Sequence, residues 1–139
     1  MDEIEVLTFQ PWPDPAIDPF AQDPNGDWSR LAWLPIIGPS SWLMWGTLAA
    51  QLGHEPDVSW TVEALGAAHG LSGSIARNGP TRRTVARLCQ FRILSEVSES
   101  EFLVRMTAPR LSPRLLERLP EFVGELQDQA FEVPREDAG

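Results

Sequence analysis

The chain has 139 residues, 42% of them hydrophobic, enough for one domain with a buried core and too few for a second independent one. Its single cysteine, Cys89, excludes an internal disulfide and any cysteine-based zinc cluster. The net charge of -9 is unevenly spread: residues 1–27 hold seven acids and no base, residues 72–118 hold nine arginines against four glutamates, and residues 119–139 hold six acids and one arginine. The acidity therefore sits at the two ends, and the middle is a basic module whose sign the total conceals.

In chain order, "MDEIEVLTF" begins acidic with no basic stretch ahead of an apolar one, which is not a secretory signal and leads to an expected cytoplasmic location. The segment that follows repeats Asp-Pro at Asp14, Asp18 and Asp23, a pattern hostile to helix and to central strand. Residues 1–27 are thus expected to be an acidic, Pro-rich arm, extended or disordered. Trp12 and Phe20 in that arm can dock on a partner or on the domain's own surface. Residues 31–53 carry no charge and are long enough to span a bilayer, but Pro35, Gly38, Pro39, Ser40, Ser41 and Gln51 break the run, so a buried core helix is expected and no membrane.

A core over 28–118 is expected to open with the helix "GPSSWLMWGTLAAQLG", capped by Ser40 or Ser41 and ended by Gly53. "PDVSW" reads as a short extended piece. Thr61 can cap a second helix, for which Gly70 is a natural C′ residue. A third helix opens at Asn78-Gly79-Pro80, with Pro80 at the first helical position, and runs to Phe91 or Arg92. The runs 93–97 and 101–106, with a Ser-Glu-Ser turn between, predict a hairpin. Ser112-Pro113 starts a further helix, and Pro120 restarts it into an acidic amphipathic helix and tail over 119–139. There Leu119, Phe122, Val123, Leu126 and Ala130 form an apolar stripe, either a homodimer seam or a cap on the chain's own core.

At about 100° per residue the third helix turns Thr84, Val85, Leu88 and Phe91 to one side and Arg82, Arg83, Ala86 and Gln90 to the other, with Arg87 on the flank. Arginine reads guanine edges or phosphate, glutamine reads adenine, and a small alanine lets a helix approach a thymine methyl. Arg77 and Asn78 stand beside the helix N-terminus and Arg92 near its end, positions suited to backbone phosphates. The alternative is an ordinary solvated charged face.

"LGAAHGLS", from Leu65 to Ser72, resembles the second helix of helix-turn-helix proteins, and "TRRTVARLCQFRIL", from Thr81, resembles a recognition helix followed by the first strand of a wing. Residues 40–106 together resemble a winged helix-turn-helix DNA-binding domain. "WLPIIGPSSWL" followed by "GLSGSIARNGPTRRTVARLCQF" is similar to a group of small winged-helix-like proteins of actinobacteria and their phages. The resemblance implies a mainly α fold with a small β-hairpin, of the α+β class. Two features depart from the pattern: the link "SGSIARNG" is longer than a tight turn, and the wing tip "SESE" is acidic where a DNA-contacting wing is basic or polar.

No catalytic constellation, cofactor motif or metal-ligand spacing stands out. "GLSGS" lacks the last glycine of a nucleophile elbow, and His54 and His69 have no third ligand type near them in sequence. The expectation is a non-enzymatic regulator of transcription that binds double-stranded DNA through Arg77, Asn78, Arg82, Arg83, Ala86, Arg87, Gln90 and Arg92, with Arg105 and Arg110 as further basic support. The alternative is a protein-binding adaptor on the same scaffold, whose acidic, aromatic ends engage the transcription machinery or another regulator.

Overall fold

The structure, a computed structural model, describes residues 5–13, 22–71 and 79–131. It corrects the expected N-terminal arm at once. Val6–Pro11 is a β-strand, β1, whose Leu7 and Phe9 are 1% and 0% exposed. Leu7 and Phe9 alternate with Thr8 and Gln10 at the period of a half-buried strand, and the Asp-Pro repeats begin only beyond its end. Of those repeats and of Phe20, residues 14–21 lie outside the described residues.

Three helices follow, Asp27–Ala32 (α1), Leu34–Ile37 (α2) and Pro39–Leu52 (α3). Between the last two, Gly38 has φ +90°, a backbone conformation side-chain-bearing residues rarely adopt, and it turns the chain directly from α2 into α3. Because Pro39 takes the first helical position, the N-cap is Gly38, and Ser40 and Ser41 fall inside the first turn instead of capping it. Val58–Thr61 (β2) runs straight into Val62–Ala68 (α4), where the Thr61 hydroxyl accepts from the Ala64 N–H at 3.0 Å. Gly70, at φ +70°, closes α4, with Leu71 N donating to Gly66 O (2.8 Å) and Gly70 N to Ala67 O (3.3 Å).

Pro80–Gln90 forms α5, with Pro80 in the first turn as the sequence predicts. It ends in the same double-bonded way, Ile93 N to Leu88 O (2.9 Å) and Arg92 N to Cys89 O (3.0 Å), but the left-handed residue is Arg92, at φ 59°. That conformation costs an arginine about 1 kcal/mol relative to glycine. Leu94–Ser98 (β3) and Glu101–Val104 (β4) make the expected hairpin, with Val97 the extra residue of a bulge. Ser112 caps Pro113–Leu116 (α6), accepting from Leu115 N, and Glu121–Ala130 (α7) follows.

The strands form one mixed sheet in the order β2-β1-β4-β3. β1 pairs antiparallel with β2, from Val6↔Thr61 to Phe9↔Val58, and parallel with β4, from Thr8↔Glu101 to Pro11↔Val104. The fold is α+β, with a sheet larger than the small hairpin expected. Leu7, Phe9, Phe102 and Val104 point to the helices, and Phe9 stacks on Phe102 at 5.5 Å between ring centroids. On the opposite face Thr8 and Ser59 share a hydrogen bond of 3.0 Å.

Beneath the sheet lie Met44, Trp45 and Leu48 of α3, Leu65 of α4 and Leu88 of α5, each 0% exposed. Trp45 meets Trp33 edge to face, and both indoles are satisfied by carbonyls, Trp45 Nε1 by Arg105 O (2.9 Å) and Trp33 Nε1 by Pro109 O (2.8 Å). At the C-terminal end of the described chain, α7 packs on α1. Trp28 meets Phe131 edge to face, and the buried Gln127 amide both donates to and accepts from the Leu111 backbone (3.0 and 2.8 Å). The C-terminal stripe therefore covers the chain's own core: Val123 is 2% exposed, Leu119, Leu126 and Ala130 pack partly buried beside it, and only Phe122 turns outward. Of the two roles expected for this stripe, the packing within the chain is the one seen for Leu119, Val123, Leu126 and Ala130, and Phe122 is left at the surface. No described helix is long and apolar enough to cross a membrane.

The inner position of β1 has a direct check. Phe9→Ala should lower the unfolding free energy by about 3–5 kcal/mol, read as a fall in the urea midpoint, while Thr8→Ala on the solvated face should cost under about 1 kcal/mol. Equal midpoints for the two variants would place β1 outside the sheet.

Candidate nucleic-acid interface

One side of α5 is held firmly. Thr81, Thr84, Val85 and Leu88 are all buried, and they pack the helix against α3, α4 and β3. The Thr84 hydroxyl is satisfied within the helix, donating to Pro80 O at 2.8 Å. The other side presents Arg83, Ala86 and Gln90, all exposed and spaced three and four residues apart, so they share a face. Together with Gly38, Ser40 and Ser41 at the start of α3, that face lines an open groove of about 490 Å³.

Arg87 borders the same groove but is committed to the fold. Its Nε donates to Ile37 O at 2.7 Å and a terminal nitrogen to Ile36 O at 3.1 Å, with the guanidinium 5.6 Å from the centre of the Phe91 ring. A four-residue helix such as α2 has no internal partners for its last carbonyls, and Arg87 supplies them. Its charge is thus fixed beside the groove, without the freedom of a side chain that reads bases.

The remaining sequence candidates divide. Arg82 is half-buried and ion-paired with Glu5, immediately before β1. Arg92 is exposed at the far end of α5, its carbonyl accepting from Arg105 Nε at 2.8 Å. Arg77 and Asn78 lie outside the described residues. The two arginines expected as basic support are both engaged on aromatic rings, Arg105 over Trp12 at 4.7 Å and Arg110 over Phe131 at 4.9 Å. Trp12 accordingly docks on the domain itself.

Ser40 and Ser41 are the site residues that sequence reasoning assigned elsewhere, as helix caps. The signal that separates the roles is Pro39, whose preference for the first helical position pushes both serines into the first turn. The hairpin contrasts with the groove: Glu96, Glu99 and Glu101 are exposed there, with Ser98 Oγ donating to the Glu101 carboxylate at 3.1 Å.

The other chemically versatile side chains serve packing. His69 bridges α4 to α3, with Nδ1 donating to Leu65 O and Nε2 bonded to Thr47 Oγ1, each at 2.8 Å. Burial first, and then the negative charge of Glu96, push the Cys89 thiol from 9.0 up to about 11. It is therefore a protonated thiol at neutral pH. Among the described residues no His, Cys, Asp and Glu side chains gather in a way that could hold a metal ion. No protein-family model matches the chain, and neither a curated protein nor a solved structure matches it.

Two outcomes follow from this division of labour. Arg87→Ala should lower stability by about 1–2 kcal/mol, because two carbonyls lose a charged donor, whereas Arg83→Ala should stay within about 0.5 kcal/mol of the parent; thermal denaturation separates them. Iodoacetamide should label Cys89 of the folded chain only as pH climbs toward about 11, and in urea-unfolded chain from near 9. Because the folded value is the raised one, the thiol's contribution to stability is complete below pH 9 and lost between those values.

Proposed function

We propose that this chain is a DNA-binding regulator of transcription with a winged helix-turn-helix fold, and that α5 enters the major groove. The order of α3, β2, α4, α5 and the β3–β4 hairpin supports the fold reading, with β1 as an added strand between the two sheet strands that such a domain would otherwise pair directly. The observation that carries the function is the face of α5: Arg83, Ala86 and Gln90 stand exposed on a helix whose other side is locked in the core.

The spacing suits a duplex. Arg83 and Gln90 are seven residues apart, about 10 Å along a helix, which matches about three base pairs at roughly 3.4 Å each. Gln90 can pair with an adenine through two hydrogen bonds, Ala86 leaves room for a thymine methyl, and Arg83 offers a guanidinium to guanine or phosphate. The fixed charge of Arg87 adds attraction at the same surface. The hairpin, with its exposed glutamates, is poorly suited to phosphates, so the helix and the start of α3 bear the contact and the wing turns away.

A second reading, a protein-binding adaptor, is favoured by that hairpin: Glu96, Glu99 and Glu101 surround Val97, which is 60% exposed, a surface fitted to a basic partner with an apolar contact.

Fluorescence anisotropy of the full chain with mixed-sequence duplex across a salt series tests the DNA reading. A net charge of -9 opposes association, so binding is expected at low ionic strength. The logarithmic salt slope should be about -2 to -4, corresponding to a few phosphates. Ala86→Glu should abolish binding with little change in melting temperature, and Gln90→Ala should cost about 1–3 kcal/mol at a selected site. No binding at the lowest salt by the folded chain removes this reading in favour of the adaptor.

A further inference from the structure

The geometry points to a phosphate-binding site in the groove between the first turn of α3 and the outer face of α5. On the DNA reading above, on which this identification of the source rests, the phosphate is one of the duplex backbone.

Three independent features meet there. The first is the start of α3, a helix of 14 residues whose N-cap makes no side-chain hydrogen bond. Pro39 has no N–H, and the first intrahelical bond is from Trp42 N to Gly38 O at 3.0 Å, so the N–H groups of Ser40 and Ser41 point out of the helix end without an intrahelical acceptor. Gly38 at φ +90° creates this entry, and a side chain there would meet nothing within 4 Å, so the glycine serves conformation and not packing. The second is Ser41. It is only 3% exposed and lines the groove, yet its hydroxyl has no hydrogen-bond partner among the described residues. Trp28 Nε1 is the one fully buried side-chain polar atom without a partner among the described residues, so the small exposed part of Ser41 includes its hydroxyl, which opens on the groove it lines and can donate to an acceptor seated there.

The third is charge. Arg83 lines the groove, exposed and without a partner among the described residues, and Arg87 lies beside it, held in place by the Ile36 and Ile37 carbonyls. Those two bonds use part of the Arg87 guanidinium's donor set and leave the rest. Among the described residues no acidic one lines the groove. Two N–H groups, one O–H and two guanidinium charges suit the oxygens of a phosphate and nothing cationic. Holding a backbone phosphate at this point would set the register of α5 on the duplex, so that Ala86 and Gln90 meet base edges.

The test uses the full chain and two variants, Ser41→Ala and Ser40→Asp. Ser40 is only partly buried, and an acid in the first turn of a helix favours the helix, so Ser40→Asp should keep or raise the melting temperature while repelling phosphate. Anisotropy with duplex DNA should show Ser41→Ala about fivefold weaker, the loss of one hydrogen bond. Ser40→Asp should be at least about tenfold weaker, with the salt slope reduced by about 0.9. In parallel, amide NMR of the parent chain with inorganic phosphate alone should shift Ser40 and Ser41, and Ser40→Asp should lose the response. If the parent binds duplex and Ser40→Asp binds equally with an unchanged slope, the phosphate site is overturned and the DNA reading survives. If no duplex binds but inorganic phosphate still shifts Ser40 and Ser41 in the parent alone, the site stands, with a small phosphorylated molecule as its source, and the DNA reading falls. If neither ligand acts, both are overturned.

Discussion

Residues Val6–Pro11 hydrogen-bond to two strands at once, and the packing of α4 and α5 depends on that double pairing. β2 passes without a break into α4 through Thr61, and β4 is tied by its hairpin to the end of α5. By joining β2 to β4, β1 closes the circuit that holds α4 and α5 against α3. Its Leu7 and Phe9 complete the apolar layer below. Because β1 is an interior strand, the acidic N-terminal region is not an arm that can lift away as a whole: Glu5, at its head, is held against Arg82.

The polar groups of the interior show how much of the arginine and tryptophan content is structural. Four indole N–H groups reach across elements to an acceptor, among them Trp42 to Ser29 and Trp60 to Gln51. Trp28 alone keeps a buried Nε1 without one. Arg87 caps a helix that is too short to satisfy its own carbonyls, and the guanidinium groups of Arg105 and Arg110 sit over aromatic rings. Guanidinium is suited to these tasks because it is weakly hydrated, planar and rich in directed donors, which accounts for the use of arginine without lysine in the basic module.

The surface that remains is small and electrically distinct. In a chain of net charge -9, Arg83 and Arg87 line one groove with no acidic residue among its described lining, while Arg30, Arg92, Arg114 and Arg118 are exposed elsewhere and the hairpin is acidic. On the proposed reading, opposite fields on the two features would favour one orientation of a charged partner over others, acting on specificity and encounter more than on affinity.

Local chemistry determined several helix boundaries, though not the start of α3 at Gly38: Thr61 and Ser112 as caps, Pro80 in the first turn, Gly70 in the left-handed position, and the inward face of α5 from its 3.6-residue period. Each depends on contacts within a few residues and is therefore legible in the sequence. The α+β class and the hairpin were legible for the same reason. The strand at β1 was present as a short alternation but was outweighed by the proline-rich segment after it, since its partners lie some fifty and ninety residues away. Likewise, spacing turns Arg82 and Arg83 outward and Arg87 to the flank of α5, but it says nothing of what each one meets. Only the tertiary structure decides that Arg82 meets Glu5, that Arg87 caps α2 and that the groove beside Arg83 is shared with two serines of α3, because those outcomes depend on which distant groups the fold brings together.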